Sequence, residues 1–211
     1  MKNTLRPANI NVIIEGHAIF MRPISEAEIS DRYLGWLHDP DVVQYLDEVR
    51  HKRQTKEDII SYINGLRSRE GCELFAIFTK NNGFYIGNIG VAIYNPHHQG
   101  YAGYGIMIGD KKAKALGLGG EATILIVEFL FRDAKIRRLQ ENTYAENEKS
   151  WKTLESLGFK KEGILRQHVV LSSGKICDLY IHGMLREEWM EHRQKVANVL
   201  KEMKVSEYTE V

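Results

Sequence analysis

The residues best suited to bind an anion lie in a glycine-rich stretch near the middle of the chain. Gly117, Gly119 and Gly120 follow Lys114 and open an apolar segment with helical spacing from Ala122 onward. Glycine lets the backbone approach an anion closely, and the first turn of a helix offers unpaired N–H groups at the positive end of its dipole. This pattern therefore favours the binding of a phosphate or diphosphate group.

The strand predicted before these glycines belongs to the same site. Residues 101–109 read as an extended segment that places Gly103 and Gly105 on one face, where a ligand or another backbone could come close. Residues 101–144 read as strand, helix and strand, a crossover that makes the two strands parallel neighbours or near neighbours. Ligands in open α/β sheets lie beyond the carboxyl ends of such strands. We therefore expect the strand end and the glycines to meet.

Hydrophobic periodicity predicts one α+β domain around this site. Ser25, paired with Glu28, and Thr55 are predicted to cap helices. Other helices are predicted at 119–132, 147–156 and 186–204, and strands at 17–22, 73–80, 84–94, 101–109, 137–144, 159–171 and 175–185. Residues 1–15 are predicted to be an irregular or weakly paired segment, and residues 110–118 a loop.

Composition and charge exclude several classes of protein. Of 211 residues, 29 are Lys or Arg and 28 are Asp or Glu, and this balance argues against a dedicated nucleic-acid binder. Two cysteines, Cys72 and Cys177, form no disulfide framework and fit a reducing compartment. The longest apolar stretch, 123–131, is too short to cross a bilayer, and the N-terminus lacks the apolar segment of a secretory signal. We expect a cytoplasmic protein with no membrane or nucleic-acid partner.

A nicotinamide dinucleotide site is a second interpretation of the glycines. Residues 117–122 also satisfy G-x-G-x-x-A, and Glu141 lies at a suitable distance downstream to contact a ribose. That fold needs the loop directly after its strand and several parallel units in succession. Here residues 110–114 intervene and only one crossover is predicted, so an oxidoreductase is the less favoured alternative.

Four motifs in collinear order make residues 16–190 resemble the GCN5-related N-acetyltransferase (GNAT) superfamily, in the branch containing the ribosomal-protein N-terminal acetyltransferases. Lys114-x-x-Gly117-x-Gly119 is similar to the family's Arg/Gln-x-x-Gly-x-Gly/Ala signature, apart from its lysine. A second block is similar to the family's N-x-x-S…LGF…EG segment; it comprises Asn147, Ser150, residues 157–159 and residues 162–163. The remaining similarities lie in residues 21–23 with 36–40 and in residues 188–189.

This resemblance implies a mostly antiparallel sheet splayed at one parallel strand pair, flanked by helices, with acetyl-CoA as co-substrate and no metal. The acetyltransferase domain would cover residues 16–190, after the segment 1–15 and before a C-terminal helix and tail over 191–211. The residues that the resemblance assigns to acetyl-CoA are Met107, Ile108, Lys114, Ala115, Leu116, Gly117, Leu118, Gly119, Gly120, Asn147 and Ser150. Amides near Met107 and Ile108 would take the pantetheine arm, and residues 114–120 the pyrophosphate.

The chemistry so implied is the attack of a neutral amine on a thioester, which needs positioning, a donor for the developing oxyanion and a route for the proton. The candidate catalytic residues are Glu141, Tyr104 and His98, with Glu146 and His97 as further candidate bases. Many relatives place a tyrosine acid seven residues after the asparagine, but this chain has Leu154 there. Neither cysteine has a partner that marks an activated thiolate, so we expect direct transfer in a ternary complex.

The acceptor stays open at this level. The branch modifies protein N-termini, polyamines, aminoglycosides and amino-sugar nucleotides, and we favour a small amine or an amino-sugar over a protein. An acidic cluster could attract a cationic amine; it comprises Asp39, Asp41, Asp47 and Glu48. The missing tyrosine motivates one other hypothesis, a non-catalytic acyl-CoA-binding regulatory module. A homodimer is compatible with the sequence.

Overall fold

A mixed sheet is the central element of the fold. The structure, a computed structural model, describes residues 10–46, 49, 52–95, 100–171 and 173–208, and these contain a nine-stranded sheet. Its strands are β1 (Val12–Glu15), β2 (Ile19–Pro23), β3 (Cys72–Thr79), β4 (Tyr85–Tyr94), β5 (Tyr101–Ile108), β6 (Arg138–Tyr144), β7 (Lys160–Val170), β8 (Ile176–Leu185) and β9 (Lys204–Glu207). They lie in the order β7-β8-β6-β5-β4-β3-β2-β1-β9. Of these neighbours only β5 and β6 run parallel, which confirms the predicted fold class.

Helices cover both faces of this sheet. They are α1 (Asp31–Leu37), α2 (Pro40–Val43), α3 (Lys56–Arg67), α4 (Lys111–Ala115), α5 (Leu118–Arg132), α6 (Glu148–Ser156), α7 (Arg186–His192) and α8 (Ala197–Leu200), with 3₁₀ turns at Glu26–Glu28 and Arg193–Val196. Alternate residues of β3 separate two cores. Phe75 and Ile77 belong to the core that contains α5, whereas Leu74 belongs to the core that contains α1 and α3. Since neighbouring strand residues point to opposite faces, α5 lies on one face and α1 and α3 on the other.

A buried ion pair ties α5 to the C-terminal segment. Glu128 of α5 is fully buried and accepts hydrogen bonds from Trp189 Nε1 at 2.7 Å and from Arg193 Nε at 3.1 Å. These partners satisfy a carboxylate that would be costly to bury alone. Because the N-terminus of α5 carries the glycines, this anchor also helps to position the candidate site.

In two segments the structure differs from the sequence prediction because a helix-capping residue starts a helix where none was predicted or divides a predicted one. Residues 110–118 are not a plain loop, because Asp110 caps the short helix α4 by accepting the Ala113 N–H at 2.9 Å. The helix predicted after Ser25 is divided: Ser25 and Glu28 form the expected capping box around a single 3₁₀ turn, and α1 begins only after a second cap at Ser30. Thr55 caps α3 as predicted.

The two ends of the described chain meet in the sheet. Residues 12–15 form β1, which pairs with β2 on one side and with β9 on the other. The helix predicted over 186–204 consists of α7, a 3₁₀ turn and α8, and it ends at Leu200 before β9. The sheet therefore continues beyond the predicted domain, since β1 precedes residue 16 and β9 follows residue 190. The domain bounds 16 and 190 stay predictions. None of the helices in the described residues is long and apolar enough to span a bilayer.

Candidate active site

The candidate site lies where β5 and β6 separate. The two strands pair only through Tyr101 with Arg138 and through Ala102 with Leu139. Beyond these pairs, the Tyr104 N–H donates to Oε1 of Glu141 at 2.8 Å instead of to a backbone carbonyl of β6. The Glu141 side chain therefore lies between β5 and β6 at the point where the two strands separate.

The separation leaves one edge of β5 without a neighbouring strand. Successive strand residues direct their N–H groups to opposite sides, so those of Ile106 and Ile108 point to the same side as that of Tyr104. The Met107 N–H points to the other side, where Met107 pairs with Asn88 of β4. This alternation favours Ile106 and Ile108 as backbone donors at the opening. Sequence reasoning missed Ile106, although strand alternation from Ile108 could have indicated it.

A glycine in the left-handed conformation turns the chain from α4 into α5. Gly117 has φ 74° and ψ 15°, values that a residue with a side chain adopts only with strain. The first N–H groups of a helix have no acceptor inside the helix. The Gly120 N–H donates to the Gly117 carbonyl at 2.9 Å, so the N–H groups of Leu118 and Gly119 are the donors best placed for an anion.

The next two glycines are required for different spatial reasons. A Cβ on Gly119 would lie 3.0 Å from Cγ1 of Ile108, so glycine permits the close approach of α5 to β5. A Cβ on Gly120 would meet no protein atom within 4 Å and would stand at the wall of a groove. Gly119 therefore serves packing, and Gly120 keeps space open.

That groove, of about 570 Å³, joins the strand opening to the glycine turn and α6. The predicted site residues that line it are Asp41, Tyr104, Met107, Ile108, Lys114, Gly117, Gly119, Gly120, Glu141, Glu146, Asn147 and Ser150. Three other predicted residues do not line it: Ala115 and Leu116 are exposed, and Leu118 packs against the α5 core. His98 and His97 lie outside the described residues. Within those residues, no three His, Cys, Asp or Glu side chains form a group that could hold a metal ion.

The wall opposite the glycine turn is the start of α6. Asn147 precedes this helix, its side chain makes no capping hydrogen bond, and Ser150 follows within the first turn. Leu154, at the position where many relatives have tyrosine, is buried and also lines the groove. The tyrosine hydroxyl that many relatives use is therefore absent from α6, and a phenol for the chemistry must come from another element.

A second cavity, of about 930 Å³, lies against α1 and α3 and meets the groove at the strand opening. The residues common to both are Tyr45, Leu46, Tyr104, Gly105, Ile106, Met107, Glu141 and Asn142. A Cβ on Gly105 would meet nothing within 4 Å, so this glycine keeps the junction free of side chains. Two ligands could thus reach one point from different entrances.

Burial controls the protonation of the two polar side chains at this junction. Burial raises the pKa of Glu141 well above its usual range, against the opposing effect of the Tyr104 N–H. Burial, together with the nearby Glu141 carboxylate, also raises the pKa of Tyr104, so its hydroxyl stays protonated. The Tyr104 phenol oxygen is buried and has no hydrogen-bond partner in the protein. The junction therefore holds a carboxyl with strengthened proton affinity and an unused hydroxyl donor.

Tyr45 also bounds both cavities, and sequence reasoning missed it. Its hydroxyl donates to the Glu146 carbonyl at 3.1 Å, and its ring centroid lies 5.5 Å from that of Tyr144. The Glu146 carboxylate itself pairs with Lys175 at 2.9 Å. No local signal in the sequence indicates this contact, which joins segments about 100 residues apart.

The remaining candidates lie apart from the junction or outside the description. Cys177 is buried beside Tyr144 and Leu179, and Cys72 begins β3. Asp39 caps α2 and lies 3.4 Å from Lys111. The acidic residues at positions 47 and 48 are outside the described residues.

A sheet opened between two parallel strands, with a glycine turn at a helix N-terminus, defines the fold of an acyl-CoA-dependent transferase. The family model for the acetyltransferase (GNAT) domain matches residues 19–160, and the chain belongs to this family. It is an acetyl-CoA-dependent N-acetyltransferase that moves the acetyl group to an amine. The predicted family is confirmed, and the nicotinamide alternative is set aside.

Relatives and solved structures agree with this assignment. The chain is 27% identical over 165 residues to N-acetyltransferase p20 of Bacillus licheniformis, covering 78% of this chain and 91% of the relative. It is 25% identical over 136 residues to the ribosomal protein uS5-alanine N-acetyltransferase of Escherichia coli (strain K12), covering 64% and 68%. The spermidine N-acetyltransferase from Vibrio cholerae, solved with CoA and spermine, has a TM-score of 0.72 at 14% identity, covering 82% and 98%. At that identity the solved structure shows the fold alone.

Proposed function

We propose that this enzyme acetylates a primary amine by direct attack on acetyl-CoA while both substrates are bound. The observation that carries the proposal is the meeting of two cavities at Tyr104, Gly105 and Glu141. One cavity runs to the glycine turn, and the other lies against α1 and α3. Separate entrances with one meeting point suit a ternary complex, in which proximity supplies much of the rate.

The residues of the first groove suit acetyl-CoA, whose thioester supplies an activated acetyl group. The N–H groups of Leu118 and Gly119 bind the diphosphate at the positive end of the helix dipole, and Lys114 adds positive charge. The N–H groups of Ile106 and Ile108 bind the pantetheine arm and stabilise the charge that develops on the thioester oxygen. Asn147 and Ser150 contact the arm from the opposite wall.

Proton transfer is assigned to the two polar side chains at the junction. Glu141 accepts a proton from the acceptor's ammonium group, directly or through water, and leaves the neutral amine that attacks the thioester; its raised pKa narrows the gap to that of the amine. Tyr104 donates a hydrogen bond from its unpartnered hydroxyl to the departing sulfur, a role that Leu154 cannot fill. His98 remains a candidate base that lies outside the described residues.

The acceptor class is a small primary amine, an amino-sugar or a protein N-terminus. By their names, a relative acts on an alanine of ribosomal protein uS5 and a structural neighbour acts on spermidine. Within this range we favour a small amine or an amino-sugar. The homodimer and the cytoplasmic location stay predictions.

The kinetic order and one cysteine variant test direct transfer. CoA release is measured with a panel of primary amines while both substrate concentrations are varied. We expect intersecting initial-velocity lines, and we expect Cys177→Ala to keep nearly full turnover because this thiol lies outside both cavities. Parallel lines, or a folded but inactive Cys177→Ala protein, would overturn direct transfer. Tight CoA binding without turnover of any amine would instead support the regulatory module.

A further inference from the structure

The floor of the acceptor cavity is a patch of four small residues on neighbouring strands. Gly90 pairs with Gly105, and Ala92 pairs with Gly103. Strand alternation places all four on the face of Leu74 and the core formed with α1 and α3. This floor, defined as residues 90, 92, 103 and 105, extends about 7 Å along the strands and about 5 Å across them. Its dimensions are those of a six-membered ring.

Polar and aromatic pairs bound the floor at its two ends. At one end Tyr94 pairs with Tyr101, and their rings stack with centroids 4.7 Å apart. At the other end Asn88 pairs with Met107. All four of these residues line the cavity, so a molecule lying on the floor would contact an aromatic pair and an amide.

Asn88 carries an unused hydrogen-bond donor. Its side chain is only 4% exposed, and its Oδ1 accepts from the Tyr85 hydroxyl at 2.8 Å. Burial raises the pKa of Tyr85 well above its usual range, so that hydroxyl stays protonated and keeps Oδ1 as its acceptor. The buried Nδ2 makes no hydrogen bond of normal geometry in the protein, although the Tyr33 hydroxyl lies near enough to the Asn88 amide for that amide to oppose the rise in the pKa of Tyr33 that burial causes. A donor left unsatisfied in this way is costly, and an acceptor oxygen on a ligand would relieve that cost.

Within the part of the chain that the structure describes, the charges around the cavity do not suit a molecule with several ammonium groups. Among the described lining residues, the carboxylates are Asp58 and Glu141. Asp58 is paired with Lys52 at 2.7 Å, and Glu141 accepts the Tyr104 N–H inside the strand opening. A linear polyamine would need an anionic group beyond these described carboxylates for its second cation.

We infer that the acceptor is a ring-sized molecule with one primary amine and a hydroxyl or carbonyl oxygen that Asn88 Nδ2 binds. Asn88 is then a specificity-determining residue, and the small residues of the floor leave room for a ring to lie flat on the strands. This inference rests on the proposed function, because it places the acceptor in the second cavity.

Matched amines test the role of the oxygen. CoA release is measured with trans-2-aminocyclohexanol, cyclohexylamine, glucosamine and spermidine. The first two share a ring and differ by one hydroxyl. We expect kcat/KM for the aminocyclohexanol to exceed that for cyclohexylamine at least tenfold, with spermidine below both. Equal values for the two ring amines, or a preference for spermidine, would overturn the inference.

Two variants test the residues themselves. Asn88→Asp keeps an oxygen for Tyr85 and, when the new carboxyl is ionised, removes the donor, so above the pKa of that carboxyl we expect at least a tenfold loss of kcat/KM with the aminocyclohexanol and little change with cyclohexylamine. Asn82→Asp makes the same replacement on an exposed turn and is the control. Gly90→Val does not depend on tolerance at position 88, since a Cβ there would meet only Leu74 Cδ1, at 3.5 Å. It should raise KM for the acceptor at least tenfold and leave CoA affinity unchanged, because Gly90 does not line the groove.

The outcomes separate the two levels of the argument. If the protein neither binds CoA nor acetylates any amine, the proposed function fails. If it acetylates amines but Asn88→Asp lowers both ring amines equally, or Gly90→Val leaves the acceptor KM unchanged, the inference fails and the proposed function stands. A protein that binds CoA and acetylates only amines outside the ring class also refutes the inference.

Discussion

Replacing Gly120 with valine should block the groove and weaken CoA binding without lowering the stability of the fold. Because a Cβ at this position meets no protein atom within 4 Å, the side chain can enter the groove without a collision. In a helix, glycine is less favourable than valine by a few tenths of a kcal/mol, so the variant should be as stable as the wild type. We expect its CoA affinity to fall at least tenfold, which corresponds to about 1.4 kcal/mol.

The two neighbouring glycines provide the contrast. Gly117→Val must place a β-branched residue at φ 74°, at a cost of about 1–2 kcal/mol or more. Gly119→Val brings its side chain against Ile108, whose Cγ1 lies 3.0 Å from the first added carbon. Both should therefore lower stability as well as CoA affinity, by about 2–4 °C in Tm for each kcal/mol.

Calorimetric titration with CoA and thermal unfolding of the same samples distinguish these effects. We expect Gly120→Val to keep the wild-type Tm and lose affinity, and Gly117→Val to lose both. Wild-type CoA affinity in a folded Gly120→Val protein would refute the assignment of this groove to the cofactor. A large loss of Tm in that variant would contradict the open space seen beside Gly120.

Two further predictions concern buried carboxyl groups. Glu141→Gln keeps an oxygen for the Tyr104 N–H, so the protein should fold. It should lose most of its kcat, and the rise of kcat with pH that accompanies the ionisation of Glu141 should disappear. The folded pKa of Glu141 lies above its ordinary value of 4.5, so the wild type loses stability as the pH rises between these two pKa values, while the variant does not. In denaturant titrations the free energy of unfolding of the variant, relative to that of the wild type, should therefore grow with pH by about 1.4 kcal/mol per unit of pKa difference. A difference that stays constant with pH would contradict the burial argument. Glu128→Ala leaves Arg193 and Trp189 without their buried partner and should lower the free energy of unfolding by about 3–5 kcal/mol. Arg132 is half-exposed beside the same carboxylate, so the control Arg132→Ala should cost under about 1 kcal/mol. Equal losses would show that the buried pair does not hold α5 in place.

Local signals made much of the fold predictable. The start of α3 was predictable because the capping box of Thr55 lies within four residues of sequence. The glycine turn was predictable because glycine is the residue that most readily adopts the left-handed conformation seen at Gly117. The single crossover from β5 to β6 follows from one helical pattern between two extended ones. The prediction of a loop before Gly117 was wrong because a lone cap, Asp110, suffices to form the short helix α4.

The candidate site was predictable in part, for the same reason. Its motif residues lie close together in sequence, so the turn and the start of α6 could be assigned without coordinates. The contact of Tyr45 with Glu146 could not, because it joins segments about 100 residues apart, and the alignment of Asn88 with Met107 could not, because it depends on the register of two neighbouring strands. Strand alternation could have indicated Ile106, and Gly105 was expected beside a ligand, but only the separation of β5 and β6 places both residues at the opening.

By itself the sequence determined the family, the α+β class and the turn that suits a diphosphate, because each depends on residue types within a short window. Tertiary structure alone decided that β9 closes the sheet beside β1, and that Glu141 is buried where the strands part. It also decided that Asn88 is buried at the end of a floor of small residues with an amide nitrogen that makes no normal hydrogen bond. The reason is physical: strand register, desolvation and unsatisfied hydrogen bonds are properties of groups that only the folded chain brings together.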